Sequence, residues 1–312
     1  MKRILVTGGA GFIGRHLCRH LRDRGHEVHA TSRQTRREPE DPTLTWHRWD
    51  GGIEEFAAVL RTSRPHVVVH AAARATPRRD LEEMSLQLEG TVIPSLNVAT
   101  AVTPDVELTL FLGSCEEYGN GAAPADETQA LAAMSPYGWA KISAYHGTRL
   151  IAENRGVKWC WLRPYLAFGP GQLGERLIPT VIRKCLDSDA VLLTAGNQTR
   201  DFVYVADMCH MIRRIVENPS RAVGQVFNLC SGQPRSIRDV AAMIRGIIGR
   251  GEIRLGELPY RANEAMLFYG SPSKFESAFG QIEPTSFEAA LRETIAWHID
   301  QRREAAIEEG GQ

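Results

Sequence analysis

The sequence lacks a net charge, because its 312 residues contain 37 lysines and arginines and 37 aspartates and glutamates. Without a basic surplus, it lacks the electrostatic footprint that non-specific binding to nucleic acids or adsorption to a membrane surface requires. It also lacks an apolar segment long enough to span a bilayer. We therefore expect a small-molecule partner, and neither a nucleic acid nor a membrane.

Cysteines are few and scattered, with no CxxC pair and no Cys/His pair at zinc spacing. The six are Cys18, Cys115, Cys160, Cys185, Cys209 and Cys230. This usage is typical of reduced thiols in a cytosolic protein, and a chain of this length can bury a core without disulfides or metal. The opening MKRILVTGGAGFIG superficially resembles a signal peptide, but its glycines fit a strand and a turn better. We expect a cytoplasmic protein without a metal site.

What the sequence does contain is an alternation of β-branched runs and amphipathic stretches, which is typical of βαβ units. The predicted strands cover about 3–7, 27–31, 44–48, 66–71, 107–112 and 157–162. We expect an α/β fold, a Rossmann doubly wound parallel sheet with a smaller C-terminal substrate-binding α/β lobe. Residues 1–165 would form the dinucleotide domain, with a segment at about 205–231 returning to it. The substrate lobe would comprise 166–204 and 232–312.

Local signals place three further elements. A helix is expected from Phe12 to a left-handed cap at Gly25. Ser135 and Pro136 predict the N-cap and first turn of a second helix. A strand at 226–230 is expected to rejoin the main sheet.

A glycine-rich turn follows the first strand directly. Gly8, Gly11 and Gly14 form GxxGxxG between the strand ILVT and a helix. Glycine permits the tight turn and lets the backbone approach a pyrophosphate, whose charge the helix N-terminus attracts. The sequence therefore predicts a dinucleotide site.

The end of the second strand indicates which dinucleotide. Ser32 stands where NAD enzymes usually carry an acidic residue for the ribose hydroxyls, and Arg33 follows it, with Arg36 and Arg37 nearby. A serine beside a guanidinium suits a 2′-phosphate, which favours NADP(H), with NAD(H) as the alternative. The competing interpretation is a solvated basic loop.

The pair Tyr137 and Lys141 is spaced i,i+4, so both side chains share one helix face. An ammonium beside a phenol stabilises the phenolate, which allows proton exchange with a substrate oxygen near neutral pH. Ser114 ends the apolar strand ELTLFLGS, and the carboxyl end of such a strand faces the ligand crevice. We predict that these three residues are catalytic.

The segments TGGAGFIG, GSCEEYG, SPYGWAK and TRDFVYVAD together resemble the extended short-chain dehydrogenase/reductase family, in its branch of nucleotide-sugar epimerases, dehydratases and reductases. The resemblance implies a sugar-nucleotide substrate, the Ser114, Tyr137 and Lys141 active site, and a homodimer. The cofactor contacts that follow are Phe12, Ile13, Asp50, Ala71, Ala72, Ala73 and Pro164. The implied substrate contacts are Arg200, Arg261, Glu117 and Gln172.

The segment around Ser114 bears on the reaction. SCEEYG resembles the 4-keto-6-deoxyhexose reductases, so our leading hypothesis is NADPH-dependent reduction of the C4 keto group of an NDP-4-keto-6-deoxyhexose, with Tyr137 as proton donor. The alternative is a redox-neutral dehydratase or epimerase that holds its NAD(P) tightly and uses Cys115 and Glu116 as acid and base. A third hypothesis is a non-catalytic cofactor sensor, because fold alone does not establish function. Two residues depart from the family pattern, Leu166 and Gln87, each where an asparagine is usual.

Overall fold

The computed structural model describes residues 1–33 and 44–310, and a seven-stranded parallel sheet lies at its centre. Its strands are β1 (Arg3–Thr7), β2 (Glu27–Ser32), β3 (Thr45–Arg48), β4 (Val67–His70), β5 (Leu108–Leu112), β6 (Trp159–Pro164) and β10 (Gln225–Leu229). Their order is β10-β6-β5-β4-β1-β2-β3, which reverses between β1 and β4. The doubly wound fold is thereby confirmed, and its ligand crevice lies beyond the carboxyl ends of β1 and β4.

Helices cover both faces of this sheet. They are α1 (Phe12–Asp23), α2 (Ile53–Ser63), α3 (Glu83–Gln87), α4 (Ile93–Ala101), α5 (Pro136–Arg155), α6 (Leu177–Asp187), α7 (Val205–Glu217), α8 (Ile237–Ile248), α9 (Ser273–Phe279) and α10 (Phe287–Gly310). In β1, Ile4 and Val6 join the core under α1 and α7, whereas Leu5 joins the core under α2, α4 and α5. Strand side chains alternate between faces, so a strand buried on both sides is apolar throughout.

The predicted end of α1 near Gly25 and the predicted start of α5 at Ser135 and Pro136 agree with the structure. The Ser135 side chain accepts a hydrogen bond from the Gly138 N–H at 3.0 Å, and Pro136 is the first residue of α5. Helix α1 ends at Asp23, and Gly25 follows with a φ of +81°. The strand expected at 226–230 is β10, which pairs in parallel with β6.

Shorter strands form two further small sheets. They are β7 (Leu166–Phe168), β8 (Ala190–Leu192), β9 (Thr199–Tyr204), β11 (Pro234–Ser236), β12 (Glu252–Arg254) and β13 (Leu267–Phe268). Strand β9 pairs in parallel with β7 and β13 and antiparallel with β11, and β8 pairs with β12. One turn of 3-10 helix, Cys115–Tyr118, follows β5, and a π-helical segment, Leu88–Val92, connects α3 to α4.

The six cysteines are free and buried. No described helix combines the length and apolarity that crossing a bilayer requires. Arg36 and Arg37 lie outside the described residues.

Candidate active site

The turn between β1 and α1 brings backbone against backbone, as a pyrophosphate cradle requires. Gly8 has a φ of +67°, and a Cβ on it would lie 2.8 Å from the Ala72 backbone. A Cβ on Gly14 would lie 2.1 Å from the Gly8 carbonyl oxygen. Gly11 precedes α1 without a side-chain cap, so the helix N-terminus offers its first N–H groups to an anion. The residues present fit a dinucleotide pyrophosphate.

Two adjoining cavities open from this turn and share Gly8, Gly11, Ala71 and Ala73. Cavity A measures about 730 Å³. The predicted residues that line cavity A alone are Ser32, Arg33, Asp50 and Ala72. Cavity B measures about 370 Å³. The predicted residues that line cavity B alone are Phe12, Ile13, Gly14, Ser114, Cys115, Glu116, Tyr137, Lys141, Pro164 and Gln172.

The three predicted catalytic residues meet in cavity B. Ser114 follows the carboxyl end of β5, and its Oγ accepts a hydrogen bond from the Glu116 N–H at 3.1 Å. Tyr137 and Lys141 lie in the first turns of α5. The Lys141 ammonium donates to the Leu112 carbonyl oxygen at 2.6 Å and lies 5.6 Å from the centroid of the Tyr137 ring.

The pKa values of Lys141 and Tyr137 in cavity B are governed by burial, whereas our prediction from the sequence rested only on the effect of the lysine charge on the phenol. Burial lowers the pKa of Lys141 to about 8, and the Glu117 carboxylate opposes that shift. Burial, followed by the Glu116 carboxylate, raises the pKa of Tyr137 above its ordinary value, while Arg176 opposes the rise. The expected lysine-driven lowering is therefore outweighed by burial in this arrangement of side chains. The protonated form of Tyr137 is therefore the favoured form at neutral pH.

Cys115 and Glu116 have unequal environments. Burial raises the pKa of the Cys115 thiol well above its ordinary value, and Glu116 and Asp201 add to the rise. Cys115 is 3% exposed and lines cavity B, and its raised pKa makes the thiolate a minor form, so its role as an acid or base stays a prediction. Glu116 accepts a hydrogen bond from the Ser135 hydroxyl at 2.5 Å. Among the described residues that line cavity B, Glu116 is the only carboxylate.

Glu117 does not line either cavity, contrary to our prediction of a substrate contact. Its side chain is fully buried and accepts hydrogen bonds from the Ser114 N–H at 2.8 Å and the Trp161 indole at 3.0 Å. The Arg163 guanidinium pairs with it at 2.7 Å. Successive residues of the 3-10 turn point in different directions, which sends Glu116 to the cavity and Glu117 to the core.

The predicted substrate residues are only partly brought together. Gln172 lines cavity B and donates to the Ala167 carbonyl oxygen at 2.6 Å. Arg200 lines neither cavity and is already paired with Glu264, with a further bond to the Ala265 carbonyl oxygen. Arg261 is exposed and lies near enough to Arg200 to lower its pKa, although burial is the larger cause.

The two departures from the family pattern have distinct surroundings. Leu166 lines cavity B and supplies an apolar side chain where an amide is usual. Gln87 is buried, donates to the Arg74 carbonyl oxygen at 2.9 Å and accepts from the Thr91 hydroxyl at 2.9 Å. Gln87 therefore anchors the loop that follows β4.

Two polar side chains of cavity B, Arg176 and Tyr165, were outside our set of predicted site residues. Arg176 precedes α6 and contributes the cationic charge that opposes the pKa rise of Tyr137. Tyr165 is 4% exposed, and its hydroxyl has no hydrogen-bond partner in the described part of the chain. Neither belongs to a spacing pattern, so only their position in the fold identifies them.

Comparison with known proteins agrees with this geometry. Residues 4–230 match the NAD dependent epimerase/dehydratase family. The dTDP-glucose 4,6-dehydratase of Neisseria meningitidis is 25% identical, over 97% of this chain and 94% of that protein. A putative UDP-glucose 4-epimerase of Methanocaldococcus jannaschii is 26% identical, over 96% and 99% of the two chains. The crystal structure of Thermus thermophilus UDP-glucose 4-epimerase with NAD superposes with a TM-score of 0.84 at 26% identity, over 95% of this chain and 98% of that one.

The family match covers most of the chain, including the glycine turn, cavity B and the returning strand β10. It agrees in chain order with the segments that carried the resemblance, from the first strand to the end of β10. The chain therefore belongs to the NAD dependent epimerase/dehydratase family, within the extended short-chain dehydrogenases/reductases.

Proposed function

We propose that this protein catalyses a redox-neutral conversion of a nucleotide sugar, epimerisation at C4, with an NAD(P) that returns to its starting state in each turnover. The observation that carries the proposal is cavity B, where Ser114, Tyr137 and Lys141 adjoin the dinucleotide turn and Glu116 is the only carboxylate among the described lining residues. The relatives named above are an epimerase, a putative epimerase and a dehydratase, and none is named as a ketoreductase. Net reduction, our leading hypothesis from the sequence, lacks that support.

The proton step belongs to the protein. An oxidised nicotinamide held beside the turn of Gly8, Gly11 and Gly14 would supply the hydride acceptor for C4 and positive charge in the cavity. Tyr137 takes the proton of the C4 hydroxyl as the carbonyl forms, and the Ser114 hydroxyl donates to the same oxygen. The Lys141 ammonium favours the phenolate. Inversion at C4 would require reduction of the carbonyl from its opposite face, and Tyr137 would then return the proton to the C4 oxygen.

The environment of Cys115 favours epimerisation over dehydration. Loss of water from a 4-keto sugar needs a base for the C5 proton and an acid for the departing C6 hydroxyl. Glu116 can serve as that base, but the buried Cys115 thiol, with its raised pKa, is a poor acid. Epimerisation requires neither group. Dehydration with Glu116 as base is the second candidate, because that carboxylate faces the cavity.

The cofactor in our proposal is NADP(H). Ser32 and Arg33 line cavity A, beside the same turn that Gly8 and Gly11 form, so a 2′-phosphate there would meet a guanidinium. For the sugar nucleotide, we propose that Arg200 and Arg261 face the diphosphate and that Gln172 contacts the sugar. The Arg200 pair with Glu264 would then open when the diphosphate binds.

The test is product analysis with UDP-glucose and with dTDP-glucose, without added reductant and in deuterium oxide. Epimerisation predicts a C4 epimer with no deuterium on carbon and no net change in reduced nicotinamide. Dehydration predicts deuterium at C5 and a keto product, which Glu116→Gln would abolish. Conversion that requires stoichiometric NADPH would contradict both.

A further inference from the structure

Behind Ser114 lies a buried polar cluster that the proposed reaction does not use. We define the Glu117 cluster as Glu117, Trp161, Arg163, Tyr118 and Asn228, and each of these side chains is at most 3% exposed. Arg163 bonds to Glu117 at 2.7 Å and to the Tyr118 hydroxyl at 2.9 Å. The Tyr118 hydroxyl donates to Asn228 on β10 at 2.7 Å.

Burial of an ion pair at this place is not explained by stability. Desolvation of two charges often cancels their attraction, and apolar residues of similar volume serve stability as well or better. The chain also makes room for the pair at Gly113, where a Cβ would lie 2.1 Å from the Trp161 Nε1 and 2.3 Å from the Glu117 Oε1. The Trp161 and Glu117 side chains therefore pack directly against the backbone of Gly113, the residue before Ser114.

Segment 112–114 is held from two sides. On the cavity side, the Leu112 carbonyl oxygen accepts from the Lys141 ammonium at 2.6 Å. On the core side, the Ser114 N–H donates to Glu117 at 2.8 Å. One short turn thus carries the serine hydroxyl and the anchor of the catalytic lysine, and Glu117 fixes its orientation.

The titratable groups around Lys141 lie on the 3-10 turn, on two strands and on its own helix. Glu117 approaches from the 3-10 turn, with Arg163 of β6 behind it. His70 approaches from β4 and is kept neutral by burial and by Lys141 itself, with a pKa lowered to about 3. Tyr137 lies on the lysine's own helix. Glu117 is the one that opposes the effect of burial on the pKa of Lys141.

We propose that Glu117 is a positioning residue for the reaction, which fixes segment 112–114 through the Ser114 N–H and so holds the Leu112 carbonyl oxygen that anchors Lys141. The proposal rests on the proposed function for its activity readout alone. It concerns a residue that touches neither cavity, so a purely structural role is the competing interpretation.

The first test needs no substrate. The chain contains five lysines, so ¹³C-lysine labelling gives a simple spectrum in which Lys141→Arg assigns the Lys141 signal. In Glu117→Gln, which keeps the shape and removes the charge, the Lys141 titration midpoint moves to lower pH by about half a unit or more. If the single variant does not fold, Glu117→Gln with Arg163→Met removes both charges and predicts a shift of the same direction.

The control is Asp207→Asn, which removes a half-buried carboxylate that accepts two hydrogen bonds from Thr285 and does not line cavity B. This control predicts comparable loss of stability with an unmoved Lys141 midpoint. A Glu117→Gln titration that coincides with wild type would overturn the inference.

Activity supplies the second readout. With UDP-glucose, Glu117→Gln predicts kcat lower by about tenfold or more, because a misplaced catalytic group costs rate before affinity. KM and NADP⁺ affinity stay within about threefold of wild type. Equal kcat in the variant and wild type would also contradict the inference. If wild type itself converts no nucleotide sugar, the proposed function fails, and the titration still decides the role of Glu117.

Discussion

Tyr137 and Lys141 face the same cavity with opposite shifts in proton affinity. Burial raises the pKa of the phenol and lowers that of the ammonium, so it stabilises the neutral form of each side chain relative to the charged form. In the proposed reaction, an oxidised cofactor would oppose this rise in the pKa of Tyr137 by adding positive charge. The proposed reaction therefore links removal of the sugar hydroxyl proton to the presence of the cofactor.

Removing the Tyr137 hydroxyl tests its proton role. Tyr137→Phe should bind NAD(P) as wild type does and lose turnover of UDP-glucose by about 10²- to 10⁴-fold, because the phenol hydroxyl exchanges the C4 proton in the proposed reaction. The matched control is Tyr204→Phe, which deletes a buried hydroxyl bonded to Glu293 outside cavity B. Its turnover should remain near wild type, and near-normal turnover in Tyr137→Phe would remove Tyr137 from the mechanism.

Arg33 is the residue by which the cofactor proposal can be tested. Arg33→Ala should weaken NADP(H) binding about tenfold or more and leave NAD(H) binding nearly unchanged, because only the former carries a phosphate for the guanidinium. Calorimetric titration with both dinucleotides measures the difference. Equal losses for the two would show that Arg33 does not contact a 2′-phosphate.

At the residue scale, the sequence predicted the side chains that line cavity B more accurately than it separated them from neighbours that point into the core. Ser114, Tyr137 and Lys141 could be placed because strand ends and i,i+4 spacing fix direction. Glu116 and Glu117 are chemically identical neighbours, and only the geometry of the 3-10 turn decides that one faces the cavity and the other the core.

At the element scale, one serine joins the start of α5 to the site. The Ser135 Oγ accepts from the Gly138 N–H at 3.0 Å and donates to Glu116 at 2.5 Å. The cap therefore sets where α5 begins, and with it the positions of Tyr137 and Lys141.

Ser135→Ala should lower the free energy of unfolding by about 1 kcal/mol, as loss of an N-cap does, and should also lower kcat. Ser236→Ala is the matched control, because Ser236 caps α8 through the Asp239 N–H at 3.1 Å and lines neither cavity. Urea unfolding should show similar losses for both variants, with activity lost only in the first. Equal activity in the two would mean that the cap serves stability alone.

Among the elements, the strands of the seven-stranded sheet could be predicted from the sequence, and the short strands of the two smaller sheets could not. Each of the six predicted strands is present with ends within two residues. Strands such as β4 and β5 are buried on both faces and read as continuous apolar runs, whereas the edge strand β3 is more exposed. Strands β7 and β13 have three and two residues, too few to show a period, and pair with β9 only through tertiary contact.

At the scale of the whole molecule, buried histidines couple stability to pH. Burial lowers the pKa of His70 to about 3, and those of His20 and His298 to about 4. Each folded value lies below the ordinary value near 6.5, so the unfolded chain binds more protons in the interval between them. Stability is therefore full above about pH 6.5 and falls as pH decreases toward 4.

His70 is the residue for testing this coupling, since its ring is held neutral between Thr7 and Ser95 at 2.8 and 3.0 Å. His70→Gln should make the pH dependence of unfolding free energy shallower by about 1.4 kcal/mol per pH unit below pH 6.5. Urea midpoints at several pH values measure the slope. The exposed His146 provides the control variant, His146→Gln, and an equal slope in both variants would refute the assignment to His70.

The homodimer and the division into two lobes stay predictions at this scale. What the fold does establish is that β10 rejoins the sheet after the segment that contributes β7, β8 and β9. Cavity B accordingly takes its lining from residues on both sides of that excursion, such as Ser114 and Phe202.

The most direct test of the redox-neutral claim follows a deuterium placed at C4 of UDP-glucose. Epimerisation through transient oxidation predicts that the product carries inverted configuration at C4 with the deuterium still on that carbon, and that no NADPH is consumed. Recovery of the label at C6 would instead identify dehydration. Loss of the label to water, or conversion only when NADPH is supplied in equal amount, would contradict the account.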